Sequence, residues 1–246
     1  MRALIDGDLV VYRCAATVQE HEDIEIAYYR IDVQMQQILE ATEAPEYTCY
    51  ISSPDNFRKK INPEYKANRK DLIPPCYLKE CKEYVLKNWN AVTLQWHEAD
   101  DLLGINQDSE TILCSLDKDL LMVPGLHYNW TKVEISEVTS IQGLKHFYKQ
   151  MLIGDSSDNI FGVRGIGKVK AEKIISPLET EQEMYETVYN LYNQDADRFL
   201  MNANCLWILR KEFELWENRQ DLVLSDHLKQ LVDHGSLSMK SLNPTT

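Results

Sequence analysis

The sequence predicts an α/β fold, a mainly parallel twisted sheet flanked by helices, and three observations predict it. Short apolar runs at Ala3 to Ile5, Tyr47 to Ser52, Val92 to Trp96 and Thr111 to Leu116 alternate with longer segments of helical periodicity. Three of these runs deliver carboxylates at their C-terminal ends: Asp6, then Glu98 with Asp100 and Asp101, then Asp117 with Asp119. A parallel sheet produces that recurrence, because ligands gather at the carboxyl ends of its strands. The chain of 246 residues is long enough to bury a substantial interior, as one large domain or as a core with a smaller appendage.

Taken in order, Arg2 to Ile5 reads as a strand that stops at Asp6, and Leu9 to Ala16 resumes as a helix. Asp6 suits the capping of that helix as well as it suits a metal ion. Tyr12 follows one to two helical turns on, where it would face the same cleft. Ile24 to Ala41 predicts an amphipathic helix with Ile31, Met35, Ile38 and Leu39 at helical spacing, a scaffolding element. Tyr47 to Ser52 is a second strand, and a basic stretch follows until Pro74 and Pro75 break the chain before a helix over Tyr77 to Asn88. Val92 to Trp96 and Thr111 to Leu116 are the third and fourth strands. The acids behind Trp96 also fit a helix start on macrodipole grounds alone. Tyr128 to Trp130 and Lys132 to Ile135 predict a small hairpin, and Ile141 to Leu152, Glu181 to Tyr192 and Asn202 to Trp216 predict helices. Tyr185, Val188, Tyr189 and Tyr192 form a stripe that belongs to the core, and the tail after Gly235 has the pattern of a frayed end.

Composition narrows the function classes. No apolar run approaches the length needed to cross a bilayer, and no export signal is visible, so a cytoplasmic protein is expected. The six cysteines show no CxxC pair and no histidines at zinc spacing, which predicts reduced packing residues. The net charge of −13 argues against nucleic acid until its distribution is considered. Residues 56 to 70 hold six bases against one acid, a local +5, and residues 162 to 173 hold four against one, a local +3. From Ser176 onward twelve acids face six bases. Two basic segments on an acidic body are suited to a phosphate backbone docked at defined places.

The most informative stretch is GDSSDNIFGVRGIGKVKAEKII, Gly154 to Ile175. Asp155 and Asp158 precede a turn of Gly165, Ile166 and Gly167, and Lys168, Lys170 and Lys173 follow. Its first half offers oxygen ligands to a hard cation, and its second offers backbone N–H groups and ammonium ions to a phosphate. Together with YKANR (Tyr65 to Arg69) and EADD (Glu98 to Asp101), this block resembles the flap endonuclease and 5′→3′ exonuclease family of PIN-like nucleases, nearest to its free-standing bacteriophage members. The resemblance covers Asp6 to about Ile175 and implies a PIN-like nuclease core over 1–151 with a helical arch at about 57–90. It implies a helix-turn-helix DNA-binding element and C-terminal helices over 152–246.

The resemblance further implies two magnesium or manganese ions, with Asp6, Glu98 and Asp100 at the first and Asp117, Asp119, Asp155 and Asp158 at the second, Asp101 lying beside them. An all-oxygen donor set of this kind favours such ions over zinc. Lys66 and Arg69 would stabilise the transition state of phosphodiester hydrolysis, and Tyr12 would stack on the terminal base. Arg58, Gly165, Ile166, Gly167, Lys168 and Lys170 would hold DNA, with a potassium ion at the turn. The implied substrate is DNA with 5′ ends or flaps, or RNA primers, cut during replication by a monomer in the cytoplasm, the host's if the chain is phage-encoded. One departure stands out. The family's polymerase-associated members end the second strand with a metal-binding aspartate, whereas this chain has Ser52 and Ser53 there and Asp55 as the nearest carboxylate. A structure-selective DNA-binding protein that does not cut, or a PIN-type ribonuclease, are the alternatives.

Overall fold

Arg2–Asp6 (β1) is an apolar run without alternation, and it becomes a central strand covered on both faces, with Ala3, Leu4 and Ile5 fully buried. It belongs to the first of two units in the computed structural model, which describes residues 1–219 and 221–235. That unit comprises Met1–Asp55 and Leu72–Val138; the second comprises Asn56–Asp71 and the chain from Thr139 onward. The basic stretch expected to begin an arch is grouped with the C-terminal part of the chain.

In the first unit β1 is followed by Gly7–Ala15 (α1), Glu25–Thr42 (α2) and Glu46–Tyr50 (β2). In the second, Arg58–Ile61 (α3) is a single turn of helix, and Ala67–Arg69 is a short 3-10 turn. The first unit resumes with Leu78–Asn88 (α4), Ala99–Asn106 (α5), Thr111–Cys114 (β3), Gly125–Asn129 (β4) and Glu134–Val138 (β5). Its sheet has the order β2-β1-β3-β4-β5, parallel throughout except for β5, which runs antiparallel at the edge. Because β1 lies between β2 and β3, the chain's winding reverses there, and the crevice outside the carboxyl ends of β1 and β3 is the switch point where ligands bind in sheets of this order. Val10, Val11, Ala27, Ile31, Met35, Ile38 and Val85 from α1, α2 and α4 close over the sheet. Each large aliphatic side chain so buried contributes about 1.5–3 kcal/mol relative to exposure.

One predicted strand of this unit differs. Val92 to Trp96 is not a strand: only Val92 bridges to Tyr50, Val92 and Leu94 are exposed, and positive φ at Asn90 (47°) and Trp96 (72°) turns the chain at both ends of the run. The segment expected to form an arch over 57–90 holds short turns before Pro74 and Pro75, and α4 after them matches the helix expected over Tyr77 to Asn88.

The second unit contains Ser140–Ile153 (α6), a minimal hairpin of Gly154–Asp155 (β6) and Ile160–Phe161 (β7), then Lys168–Ile175 (α7), Glu181–Leu191 (α8), Ala196–Leu206 (α9) and Asp226–Gly235 (α10). The helix predicted over Asn202 to Trp216 instead starts at Ala196, where Asp195 caps it by accepting from Arg198 N–H at 3.2 Å, and ends at Leu206. The tyrosine stripe of α8 is buried, and Tyr185 packs beside Phe199 and Trp216 in an aromatic core. All six cysteines are free, five of them buried. The tail after Gly235 lies outside the described residues.

Candidate active site

In the sheet unit, Asp6 ends β1 and begins α1. Its Oδ1 accepts from Leu9 N–H at 3.1 Å, so it caps the helix, while Oδ2 accepts from the Ser115 hydroxyl at 2.7 Å. Ser115 follows β3, so this bond spans the switch point, and the same hydroxyl accepts from Asp117 N–H at 3.0 Å. Asp117 Oδ1 in turn accepts from Asp119 N–H at 2.8 Å. Asp6 is 2% exposed, and burial pushes its carboxyl up to about 7, with the charges of Asp8 and Asp117 adding to the rise against the lowering effect of Ser115 and Leu9. Capping and a place in the acidic crevice therefore coexist at one side chain.

Glu98 precedes α5, and its N–H is held at 3.2 Å by Asp101 Oδ2. The start of α5 is fixed to the end of β2, where Ser52 Oγ accepts from Ala99 N–H at 2.9 Å and Ser53 N–H donates to His97 O at 2.9 Å. Glu98 and Asp100 are half-buried. Asp101, expected among the metal residues, is fully buried, and its carboxylate caps the start of α5. Tyr12 is half exposed on α1, and Asp55 is exposed on the loop after β2.

The second unit has its own arrangement. The 65–69 segment is clasped to the 155–159 loop: Tyr65 OH donates to Asp158 Oδ2 at 2.7 Å, and Arg69 Nη2 to Asp158 Oδ1 at 2.6 Å. Lys66 Nζ lies 3.8 Å from Asp158 Oδ2, and Lys66 N–H donates to Asp158 O at 3.0 Å. Asn68 and Arg69 also donate to the carbonyls of Ser156 and Ser157, at 2.7 and 2.9 Å. Two cations and an acid assigned separate tasks by the sequence are thus ion-paired. Asp155 is buried, with Oδ1 accepting from the Ser157 N–H and hydroxyl at 2.7 and 2.6 Å.

Gly165 has φ +80°, the left-handed conformation that a turn into α7 requires and that glycine adopts without strain. Ile166 is buried, and Gly167 precedes the exposed Lys168 and Lys170 on α7. Arg58 is a correction. It is 2% exposed, its Nε donating to Cys205 O and its Nη2 to Trp207 O, each at 2.8 Å, so this guanidinium ties α3 to the end of α9 and is withdrawn from DNA.

Among the described residues no three His, Cys, Asp or Glu side chains stand together as a preformed metal site. The donors nevertheless fit a hard divalent cation in type and charge. They are carboxylate oxygens, and Asp6, raised chiefly by burial, also feels the charges of Asp8 and Asp117. Sequence reasoning missed Asp8, Ser115 and Tyr65. Tyr65 stands inside YKANR, already singled out, and Asp8 lies two residues after Asp6, whereas nothing local marks Ser115.

No protein-family model matches the chain. Flap endonuclease Xni of Shewanella putrefaciens is 24% identical over 245 residues, covering 92% of both chains, and that of Shewanella pealeana is 25% identical over 248 residues, covering 92% and 94%. In fold, the chain is similar to a bacteriophage T5 protein crystallised with metal ions, at a TM-score of 0.61 and 18% identity over 82% of this chain and 87% of that one. By sequence along almost all of its length the chain is similar to these flap endonucleases, and its fold is similar to that of the bacteriophage T5 protein.

Proposed function

We propose that this protein is a structure-selective, divalent-metal-dependent 5′ nuclease, a 5′→3′ exonuclease and flap endonuclease that hydrolyses phosphodiester bonds near the 5′ ends of DNA or RNA primers during replication. The observation that carries the reading is the carboxylate group at the β1/β3 switch point, with Asp6 held near 7 by burial and by Asp8 and Asp117. Such a group is costly without a counter-ion, and two magnesium or manganese ions would supply charge neutralisation for in-line attack of water at phosphorus. Asp6, Asp117 and Asp119, with Glu98 and Asp100, are the donors of the sheet unit, and Asp155 and Asp158 are those of the second.

The chain's own residues divide the remaining work. Lys66 and Arg69 offer their cations to the phosphate's non-bridging oxygens once they leave Asp158. Tyr12, half exposed, offers a ring for stacking on the terminal base. The turn at Gly165 to Gly167 and the lysines of α7 hold duplex phosphates, with potassium at the turn, and phosphate contacts carry no sequence information, so selectivity is for structure. Incubation with a 5′-labelled flap duplex and, separately, single-stranded RNA, with magnesium or with EDTA, tests the reading. Magnesium-dependent flap products are expected. Binding without any product would identify a non-cutting DNA-binding protein, a reading favoured by the serines at the end of β2, and cleavage of RNA alone would identify a ribonuclease.

A further inference from the structure

The carboxylate absent from the end of β2 is replaced in space. Gly7, the first residue of α1, packs so closely on β2 that a Cβ there would lie 2.6 Å from Cys49 Sγ and 2.7 Å from Tyr50 O. That approach lets Asp8 reach the strand end, where its Oδ2 accepts from Ser52 N–H at 2.9 Å. Its Oδ1 lies 2.6 Å from the Nζ of Lys82 on α4. The Lys82 and Asp8 side chains are 33% and 26% exposed, so solvent reaches the pair and a ligand can too. An ion pair this exposed adds little to stability. It does place an ammonium, with its three N–H donors, beside an acid that would otherwise repel a polyanion.

We propose that Lys82 is a phosphate-positioning residue of this site, its ammonium oriented by Asp8 to take a non-bridging oxygen of the substrate strand beside Asp6. The inference rests on the nuclease reading above. Lysine acts here as a compact point charge with free donors, the form in which it binds phosphate. The competing role is neutralisation of Asp8 alone, and the two separate cleanly.

The full chain is compared with Lys82→Met, Lys82→Arg and the double variant Asp8→Asn/Lys82→Met. Cleavage of a 5′-labelled flap duplex is measured at saturating magnesium, and duplex binding by anisotropy in EDTA across a salt series. With Lys82→Met, KM rises about tenfold while kcat changes far less, and the slope of log affinity against log salt flattens by about 0.9, one phosphate contact. Lys82→Arg keeps most of the wild-type KM. In the double variant the unpaired acid is gone, yet KM stays raised. A Lys82→Met protein with wild-type KM and salt slope, or a double variant restored to both, overturns the proposal. If the wild type cuts no flap, the nuclease reading fails while the salt slope still tests Lys82.

Discussion

Asp6 allows the electrostatics of the crevice to be tested without any substrate. A carboxyl whose folded value is raised from 3.8 to about 7 binds its proton more tightly in the folded protein than in the unfolded chain. The unfolded chain therefore releases that proton first as pH rises, and stability falls progressively between about pH 4 and pH 7 and stays low above that. The difference corresponds to about 4 kcal/mol at pH 8, of which less than half is felt at pH 5. Asp6→Asn removes the charge and keeps the shape. Asparagine Oδ1 caps α1 as well as aspartate does, and its Nδ2, in the place of Oδ2, donates to Ser115 Oγ, whose own proton turns elsewhere. The variant should therefore melt roughly 8–16 °C above the wild type at pH 8 in EDTA, with a much smaller gap at pH 5. Magnesium should raise the wild-type midpoint at pH 8 and leave that of Asp6→Asn nearly unmoved, since a cation relieves only the repulsion that the variant lacks. Thermal denaturation followed by circular dichroism at both pH values, with magnesium or EDTA, measures all of this. Equal midpoints at pH 8 in EDTA, or a variant less stable than the wild type there, would refute the claim that burial and neighbouring acids burden Asp6.

Three further outcomes follow from particular contacts. Asp117→Asn should abolish flap cleavage while leaving duplex binding within about twofold, and equal loss of both in anisotropy and cleavage assays would remove it from the metal's donors. Lys168→Ala should weaken duplex binding and flatten its salt dependence by about 0.9, whereas an unchanged slope would show that this exposed lysine of α7 meets no phosphate. Arg58→Ala should do the reverse. Stranding the buried carbonyls of Cys205 and Trp207 should lower stability by about 3 kcal/mol in urea denaturation, with the salt slope of DNA binding unaltered; a changed slope at wild-type stability would reinstate Arg58 as a DNA contact.

Arg58 also marks the limit of what a sequence reveals. It stands in a basic run with Lys59 and Lys60, whose exposed side chains follow it on α3, and no local feature separates the three. What separates them is the C-terminal end of α9, whose carbonyls at 205 and 207 lie almost 150 positions away in the chain. Helices were legible where a single face decides the outcome, as in α2 and the α8 tyrosines, because hydrophobic period fixes burial there, and β1 was legible from its unbroken apolar run. Val92 to Trp96 has the alternation of a strand but lacks a neighbour beyond its one bridge to Tyr50, and pairing is a property of the sheet rather than of the run.

The acids at the switch point were legible for a related reason. Strand ends are local, so Asp6 and Asp117 could be assigned from the apolar runs before them. The apparent gap at Ser52 could not be resolved in that way, because its carboxylate comes from Asp8 across 44 positions, through the close approach of a glycine to a neighbouring strand. Aligning strand ends compares residues by position in the chain, whereas a cation or a phosphate responds to charge by position in space. Ser52 therefore reads as a lost ligand only while the end of β2 is considered alone. Once Asp8 and Lys82 are placed there, the same point carries an acid and its counter-charge, and it is the ammonium of Lys82 that suits a phosphate.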